Sequence, residues 1–340
     1  MRKRATMTDV AALAGVSLKT VSRVVNGEPG VSPDLVERVR RAVEQLDYRH
    51  NLAASNLRRG VRTQTIGVLL HDLRNEYAAE LLRVIDDHAR PLGVAVLASS
   101  LDDHEDREQV LVHDMVTRRV DGLVLMPASP DQSYLLPEVR AGLPVVAVDR
   151  PTAGLAVDTV VVDNRDGAHR ATEYLLGRGH VRVACLTDRG RLWTARERLR
   201  GYLEAITEAG LPVDERIVVK DLVTADEATA ATRALLDLAD PPTAVFAGRN
   251  DLSVGVVRAL RERALERRVA VVGFDDFPLA DLMSPAVTVV SQRVTEIGAT
   301  AAQLLFARMH GEAPTPRTVV VPTRLVERES GLIPVPVTFA

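Results

Sequence analysis

The sequence contains a single cysteine, Cys185, and only 3% of its 340 residues are aromatic. One cysteine cannot form a disulfide within the chain, and it excludes metal sites built from several thiolates. No apolar run reaches the roughly 18 residues of a membrane-spanning helix. Polar residues at Thr6, Thr8 and Asp9 interrupt any signal-peptide core behind the basic start. We therefore expect a cytoplasmic chain with no membrane span.

The net charge is small, formally −3 at pH 7, but it is unevenly distributed. Residues 1–62 carry 12 Lys or Arg and six Asp or Glu, whereas the remaining residues carry 31 and 40. A basic end on an acidic body is typical of a polyanion-binding module joined to a different domain. On charge alone, a solvated basic arm is an equal alternative. The length predicts two or three packed units.

The first fifty residues predict three short helices. Residues 6–9 have the spacing of a capping box ahead of a helix that ends before Gly15. Ser17 can cap a second helix over 18–25, which Asn26 and Gly27 end. Ser32 and Pro33 begin the third helix as its N-cap and first residue. Two short helices joined by a glycine turn, with a supporting third, indicate a helix-turn-helix.

The second predicted helix carries side chains suited to DNA. Lys19 and Arg23, four residues apart, lie on one face with Leu18 beside them. Lys or Arg can donate to guanine O6 and N7 in the major groove, and an apolar tip can contact a thymine methyl. The short polar side chains suited to phosphate oxygens are Thr20, Ser22 and Asn26. The alternative is a generic three-helix bundle with a solvated basic face.

These motifs resemble a known DNA-binding signature. The first helices resemble the DNA-binding signature of LacI/GalR-family transcriptional regulators, and the similarity continues to about residue 331. The matching runs are Thr8-Asp9-Val10-Ala11, Ala14-Gly15-Val16-Ser17 and Thr20-Val21-Ser22-Arg23-Val24-Val25-Asn26-Gly27. The resemblance implies a homodimer on double-stranded, pseudo-palindromic operator DNA, with Leu18, Lys19 and Arg23 at base-reading positions. The DNA-contacting residues that it implies are Thr6, Ser17, Leu18, Lys19, Thr20, Ser22, Arg23, Asn26 and Leu57.

Residues 51–58 precede a polar linker and are compatible with a helix, although they lack a strong apolar stripe. By themselves they indicate a linker. The resemblance implies a hinge helix that folds only on operator DNA, in which Leu57 is wedged into the central base step. Such an apolar wedge unstacks bases and bends the duplex so that more protein surface contacts it.

From residue 65 the sequence alternates between predicted strands and helices. Apolar runs at 66–70, 94–98, 122–126 and 145–148 are separated by segments with helical spacing, and a second such series spans 160–273. Repeated βαβ units predict parallel sheets covered by helices on both faces.

The predicted fold is therefore an N-terminal all-α helix-turn-helix domain followed by an α/β core of two doubly wound parallel-sheet subdomains. That core matches the periplasmic-binding-protein-like core implied by the resemblance. The predicted divisions are a DNA-binding domain (1–50), a hinge helix and linker (51–64), an effector-binding and dimerisation core (65–331) and a tail (332–340). Within the core, the predicted N-subdomain covers about 65–161 plus 292–319, and the predicted C-subdomain covers about 162–291 plus 320–331.

Polar residues recur where predicted strands end. Asp72 and Asn75 follow the first strand, Asp149 and Arg150 the fourth, and Asp275 a later one. Each alone is more often a helix cap. Together, at strand ends where α/β sheets bind ligands, carboxylates, amides and guanidinium groups suit the hydroxyl groups of a sugar.

The resemblance extends this set. Asn75-Glu76-Tyr77 is similar to the family's Asn-Pro-Phe loop, with glutamate replacing proline, and Leu222 stands where relatives often place an aromatic residue under the sugar ring. Trp193 could stack on the sugar instead, with a core or surface role as the equal alternative. The predicted ligand-binding residues are Asp72, Asn75, Tyr77, Asp149, Arg150, Trp193, Arg198, Asn250, Asp275 and Gln292.

The predicted function is a sequence-specific DNA-binding transcriptional regulator, a repressor controlled by a small-molecule effector that is a monosaccharide or a derivative. The alternatives are a regulator of the same family with a purine-like corepressor and a soluble sugar-binding receptor, which has no use for Lys19 and Arg23. Whether ligand releases or promotes DNA binding stays open, because the family includes corepressor-dependent members. The tail lacks the heptad repeat that makes some members of the family tetramers, so we expect a dimer. No P-loop, His-Glu-x-x-His or nucleophile elbow occurs, so we predict no enzyme, no cofactor and no metal site.

Overall fold

The computed structural model describes residues 5–26, 28–48, 63–312 and 315–336. The chain divides into two compact units, residues 1–63 and 64–340. The predicted hinge helix, with Leu57, lies outside the described residues. In the part of the chain that is described, no helix is long and apolar enough to cross a membrane.

The described part of the first unit contains three helices, α1 (Met7–Ala14), α2 (Leu18–Val25) and α3 (Pro33–Gln45). The capping box predicted for α1 is confirmed, since Thr6 accepts from the backbone of Asp9 and the Asp9 carboxylate accepts in return. Ser17 caps α2 by accepting from the Thr20 amide. Ser32 is the N-cap of α3 and Pro33 its first residue, as predicted, although the Ser32 side chain makes no capping hydrogen bond.

A tight turn joins α1 to α2 and is held from α3. Gly15 has a φ of 62°, in the left-handed region that glycine adopts without strain. A Cβ at this position would lie 2.8 Å from the Arg38 guanidinium. That guanidinium donates to the carbonyls of Ala14 at 2.6 Å and Gly15 at 3.2 Å. The last carbonyls of a helix have no partner within it, and Arg38 satisfies two carbonyls at this end of α1.

The second unit contains twelve strands and eight helices in its described part. The strands are β1 (Thr65–Leu70), β2 (Ala95–Ser100), β3 (Gly122–Leu125), β4 (Val145–Val148), β5 (Asp158–Val162), β6 (Val183–Leu186), β7 (Val218–Val219), β8 (Ala244–Ala247), β9 (Ala270–Phe274), β10 (Thr288–Ser291), β11 (Thr318–Val321) and β12 (Arg324–Val326). The helices are α4 (Glu76–Ala89), α5 (Glu105–Thr117), α6 (Leu136–Arg140), α7 (Asn164–Leu176), α8 (Trp193–Glu208), α9 (Ala225–Leu236), α10 (Asn250–Glu262) and α11 (Val294–Met309).

The strands form two six-stranded sheets, each the centre of one lobe. The N-lobe sheet has the order β11-β5-β4-β3-β1-β2, and all its neighbours are parallel. The C-lobe sheet has the order β12-β10-β9-β8-β6-β7 and is parallel except for the antiparallel β10–β12 pair. Each sheet separates two clusters of buried apolar side chains, one under the helices on either face. This is the doubly wound arrangement expected from repeated βαβ units.

The chain passes between the lobes at three places in the described core. It crosses after β5, between β10 and α11, and between β11 and β12. The final pieces of both sheets therefore come from residues far along the chain. The sequence pattern did not predict α6, α11 or the strands after β9.

Candidate functional sites

The α2 helix presents one apolar face to the small core of the first unit and another face outward. Val21 is fully buried, whereas Leu18 is 49% exposed and Lys19 is exposed. Arg23 lies near Glu28, with 3.7 Å between Nε and Oε2, in an ion pair that is well exposed on both sides. Exposed pairs of this kind contribute little to stability, so Arg23 can exchange this partner for a base or a phosphate at small cost.

The short polar side chains of this helix already form local hydrogen bonds. The hydroxyls of Ser17 and Thr20 are 2.9 Å apart. The Asn26 amide donates to the Ser22 carbonyl at 2.5 Å and to the Ser22 hydroxyl at 3.2 Å. The structure therefore places these predicted phosphate contacts on the α2 surface, where they stabilise the two ends of the helix.

The second candidate site lies between the lobes of the core, where the carboxyl ends of the strands meet. Asp149 directly follows β4, and Asp275 directly follows β9. Both have a left-handed backbone, with φ of 67° and 69°, and both amides donate to the neighbouring strand at 2.9 Å, to Val160 and Val290 respectively. The two lobes therefore present equivalent carboxylates at matching sharp corners. The space around them, including its mouth, is about 430 Å³.

The N-lobe wall of this cleft is built around Arg150. Its guanidinium donates to Asp103 at 2.6 Å and to the Pro127 carbonyl at 3.0 Å, and its Nε lies 3.3 Å from Asp149. Burial would raise the pKa of Asp103, but the charge of Arg150 and its hydrogen bond outweigh burial and lower that pKa to about 2. Burial lowers the pKa of His71, which also lines this wall. The imidazole is therefore neutral near pH 7.

The C-lobe wall is built around Arg198 of α8. Its guanidinium donates to Asn164 at 2.8 Å, to the Gly248 carbonyl at 2.8 Å and to Asp275 at 3.2 Å, and it stacks 3.7 Å from the centre of the Phe274 ring. Gln292 donates to the other oxygen of Asp275 at 2.6 Å. These contacts fix both the arginine and the carboxylate, so the wall is preorganised.

The lobes are hydrogen-bonded to each other across the cleft, which defines a closed arrangement. The Asn75 amide, at the start of α4, donates to Asn250 at 3.1 Å and to Asp251 at 3.3 Å. From the C-lobe loop after β6, Arg191 donates to the Ala128 carbonyl at 3.0 Å and to the Asp103 carbonyl.

The loop that receives Arg191 is held by a fully buried carboxylate. Glu108 of α5 accepts from the amides of Ala128 and Ser129, from the Gln132 side chain and from the Tyr134 hydroxyl. A buried charge is tolerated when several donors satisfy it. Glu108 therefore shapes the N-lobe rim without lining the cleft.

Three polar atoms in the cleft wall are buried without a hydrogen bond to any described residue: Tyr77 Oη, Arg150 Nε and Gln292 Oε1. Burial raises the pKa of Tyr77 well above its usual value, and the charges of Asp149 and Asp275 add to this shift. Tyr77 therefore stays a neutral phenol that can donate. Buried polar groups are nearly always paired in folded proteins, so these three atoms are exceptions that leave hydrogen-bonding capacity in the cleft wall.

Eight of the ten predicted ligand residues line this cleft, and two do not. Asp72 lies outside it because its carboxylate accepts from the backbone and the guanidinium of Arg74 in its own loop. Trp193 begins α8 and is half-buried, whereas its neighbours Thr194 and Ala195 line the cleft, since one residue turns the side chain about 100° around a helix. Leu222 packs in the C-lobe core.

The sequence reasoning missed an ion-paired group in the cleft. Arg249 donates to Asp188 at 2.6 Å and to Asp251 at 2.6 Å, and both Arg249 and Asp188 line the cleft. Asp188 lies two residues after the end of β6, and Arg249 lies two residues after the end of β8. Their positions just beyond strand ends could therefore have indicated that both residues line the cleft. Within the described ranges, no group of three or more His, Cys, Asp or Glu side chains is placed to hold a metal ion.

Comparisons with known proteins match both parts of the chain. Residues 6–51 match the family model of bacterial regulatory proteins of the lacI family, and residues 172–331 match that of a periplasmic binding protein-like domain. Catabolite control protein A of Priestia megaterium is 32% identical over 96% of this chain and 98% of its own length.

Two solved structures extend the comparison. A complex of the transcriptional regulator CelR with cellobiose is 33% identical, with a TM-score of 0.71, over 96% of this chain and 100% of that one. The lac repressor dimer bound to operator and the anti-inducer ONPF is 26% identical, with a TM-score of 0.82, over 97% of this chain and 99% of that one.

The fold and the sites define a DNA-binding regulator with a periplasmic-binding-protein-like core, which confirms the predicted fold class. The chain belongs to the LacI family of bacterial regulatory proteins. It is accordingly a transcriptional regulator that binds operator DNA, as predicted, and not an enzyme, because the family consists of DNA-binding regulators.

Proposed function

We propose that this regulator is a repressor whose affinity for its operator is controlled by a small, neutral, hydroxyl-rich ligand, a sugar, bound in the cleft. The observation that carries the proposal is the set of buried atoms without a hydrogen bond: Tyr77 Oη, Arg150 Nε and Gln292 Oε1. They comprise a donor, an acceptor and a hydroxyl that is both. A sugar hydroxyl can donate and accept at once, so adjacent hydroxyls on one ring suit this mixture.

The charges of the cleft support a neutral ligand. Among the described residues three arginines line it, and each has a carboxylate partner within 3.2 Å: Arg150 with Asp103, Arg198 with Asp275, and Arg249 with Asp188 and Asp251. A phosphate or carboxylate ligand would need a cation that is not already paired. The arginine–carboxylate pairs of the cleft are neutral overall, but they still have free lone pairs and N–H groups. A sugar hydroxyl can form hydrogen bonds with these groups without bringing a charge of its own.

The cleft supports a sugar over a planar nucleobase because it offers few aromatic surfaces. Tyr77 is the only Phe, Tyr or Trp that lines it among the described residues, and the face of Phe274 is covered by Arg198. Bases bind proteins chiefly by stacking on such faces together with hydrogen bonds. The sequence alone left a purine-like corepressor as an alternative effector. The experiment below must therefore distinguish a nucleobase from a sugar.

For the DNA side, we propose that Leu18, Lys19 and Arg23 contact base edges and that Thr6, Ser17, Thr20, Ser22 and Asn26 contact phosphates. Leu57 would wedge into the operator centre. A homodimer would present two α2 helices to half-sites about one helical turn apart or a multiple of it. The lac repressor, a relative, has been solved as a dimer bound to operator. Because the operator is chromosomal DNA, we propose that the protein acts in the cytoplasm.

Ligand control follows from the position of the site between the lobes. Predicted ligand residues lie on both walls, so a bound sugar would favour the closed arrangement over an open one. A ligand changes operator affinity only through its different affinity for the two arrangements. A thousandfold change would require a coupling free energy of about 4 kcal/mol.

The test is a thermal-shift panel of neutral sugars and nucleobases with the purified chain, followed by operator titrations. Operator DNA is first selected from a random library, and fluorescence anisotropy then measures its affinity with and without each binder. We expect a sugar to raise Tm and to change operator affinity at least tenfold. A nucleobase that does both while no sugar does would overturn the assignment of the effector.

A further inference from the structure

Two of the places where the chain crosses between the lobes are hydrogen-bonded to each other. Asp163 connects β5 of the N-lobe to α7 of the C-lobe, and residues 322–323 connect β11 of the N-lobe to β12 of the C-lobe. The Asp163 carboxylate accepts from the Thr323 amide at 2.6 Å. Although Asp163 is the N-cap residue of α7, its side chain makes no capping hydrogen bond there. Its carboxylate therefore joins two crossings instead of capping the helix.

An arginine of the C-lobe braces this junction. Arg170 of α7 donates through Nη2 to the Asp163 carboxylate at 3.0 Å, to the Thr323 hydroxyl at 2.7 Å and to the Thr323 carbonyl at 3.3 Å. Helix α7 also packs closely on this crossing, because a Cβ at Gly167 would lie 2.8 Å from the Thr323 hydroxyl. Hydrogen bonds between charged partners are roughly twice as strong as neutral ones. We call Asp163, Arg170 and Thr323 the crossover clamp.

The crossover clamp lies outside the effector cleft but is joined to it through one side chain. None of its three residues lines the cleft. Asn164, the next residue after Asp163, is only 1% exposed and accepts from Arg198 Nε at 2.8 Å. Arg198 lines the cleft and pairs with Asp275. The cleft wall that contains Arg198 is therefore tied to the first crossing.

Joining two crossings restricts how the lobes can move. A hinge absorbs movement in the φ and ψ angles of a few residues, so a single crossing would let the lobes both bend and twist. Twisting makes two neighbouring crossings slide past each other, which breaks the hydrogen bond between Asp163 and Thr323. Bending keeps them side by side. The crossover clamp therefore opposes twisting more than it opposes bending.

We propose that the crossover clamp confines the lobes to one bending motion, and that this restraint allows effector binding to change operator affinity. Asp163, Arg170 and Thr323 are thus positioning residues for the effector response and do not contact the effector. The DNA-binding unit is joined in sequence to the N-lobe, which begins at β1. The orientation of the N-lobe is therefore what the cleft can communicate to it. This inference rests on the proposed effector-controlled function.

The first test needs no effector. The single cysteine, Cys185, is fully buried, so spin labels can be placed selectively on His113→Cys of α5 in the N-lobe and Arg261→Cys of α10 in the C-lobe, both exposed positions. Labelled chain is mixed with excess unlabelled chain, and pulsed electron paramagnetic resonance measures the distance between the lobes within one protomer. We expect Arg170→Ala to broaden this distance distribution.

Two further variants complete the series. Asp163→Ala removes both the link between the crossings and the partner of Arg170, so we expect it to broaden the distribution more than Arg170→Ala does. The matched control is Arg165→Ala, an exposed arginine on the same helix whose ion pair with Glu204 stays within the C-lobe. The control is expected to keep the parental distribution.

The second test measures effector binding and the effector response separately. With the binder found in the thermal-shift panel, Arg170→Ala is expected to keep effector affinity within about threefold of the parental value, while the effector-induced change in operator affinity falls from at least about tenfold to below about threefold. The Arg165→Ala control is expected to keep both. A role in stability alone would lower Tm and leave the effector response intact.

The outcomes distinguish this inference from the function on which it rests. If Arg170→Ala and Asp163→Ala keep the parental distance distribution, or keep the parental effector response, the role of the crossover clamp is overturned and the effector-controlled function stands. If the distribution broadens but no sugar or nucleobase changes the operator affinity of the parental chain, the effector-controlled function fails and the restraint on the lobes is supported.

Discussion

Arg191 provides a direct test of whether closure of the two lobes controls effector affinity. It lies on the C-lobe, does not line the cleft, and donates two hydrogen bonds to N-lobe carbonyls, those of Asp103 and Ala128. It also lies 3.6 Å from Glu105, and about a third of its side chain is exposed. Replacing Arg191 with alanine therefore removes contacts between the lobes without removing a contact to the ligand.

The magnitude follows from these contacts. Hydrogen bonds from a charged donor are worth about 1.5–3 kcal/mol each when buried, and partial exposure reduces this, so we take about 1–2 kcal/mol in total. The loss falls on the closed arrangement alone. Since apparent affinity scales with the fraction of the binding-competent form, effector affinity is expected to fall about five- to thirtyfold.

Calorimetry with the sugar found in the thermal-shift panel measures this loss. The matched control is Arg200→Ala, an exposed arginine on α8 whose ion pair with Glu197 stays within the same helix. The control is expected to bind effector normally. If Arg191→Ala also binds normally, or if its effector affinity falls no further than that of the control, the reasoning that links lobe closure to binding is refuted.

Four further predictions concern the DNA-binding and cleft residues. Arg23→Ala should cost about 1–3 kcal/mol at one operator base pair; selection from a random library measures this, and an unchanged base preference would count against the assigned reading face. Leu57→Ala should weaken operator binding and reduce the DNA bend, and a permutation gel shift that shows the parental bend would exclude the wedge. Arg198→Lys keeps a cation beside Asp275 but loses fixed hydrogen bonds, so effector affinity should fall about 30-fold or more while ligand-free operator affinity is retained; calorimetry showing parental affinity would remove Arg198 from the site. The pKa of Asp103 is about 2 in the folded state against an ordinary 3.8, so its ion pair stabilises the fold above about pH 4 and this stabilisation is lost as pH falls towards 2. Asp103→Asn should therefore lower the free energy of unfolding by about 2 kcal/mol at neutral pH and by much less near pH 2. Urea unfolding that shows an equal loss at both pH values would contradict this prediction.

Local signals in the sequence were enough for the helices of the first unit and for most of the core. The predicted second helix, 18–25, coincides with α2, because its N-cap and the residues that end it lie within a few positions of the helix itself. The strands up to β9 followed from short apolar runs, since strands buried on both faces are nearly continuous in apolar residues. Helix α6 is only five residues long, which is too short to show a period.

The candidate site was predictable in part. Asp149 and Asp275 could be found because they directly follow buried strands, and strand ends are where such sheets bind ligands. Trp193 could not be placed, because its side-chain direction depends on where α8 begins. Arg191 gave no signal, since its partners lie in the other lobe.

Residue order alone therefore determined the class of protein: the capped helices, the basic reading face and the alternation of strands and helices depend on neighbours a few positions apart. Tertiary structure decided which polar side chains meet. Asn75 and Asn250 are 175 positions apart and hydrogen-bond because the chain crosses between the lobes. Such contacts arise from packing of distant segments, which no local pattern encodes.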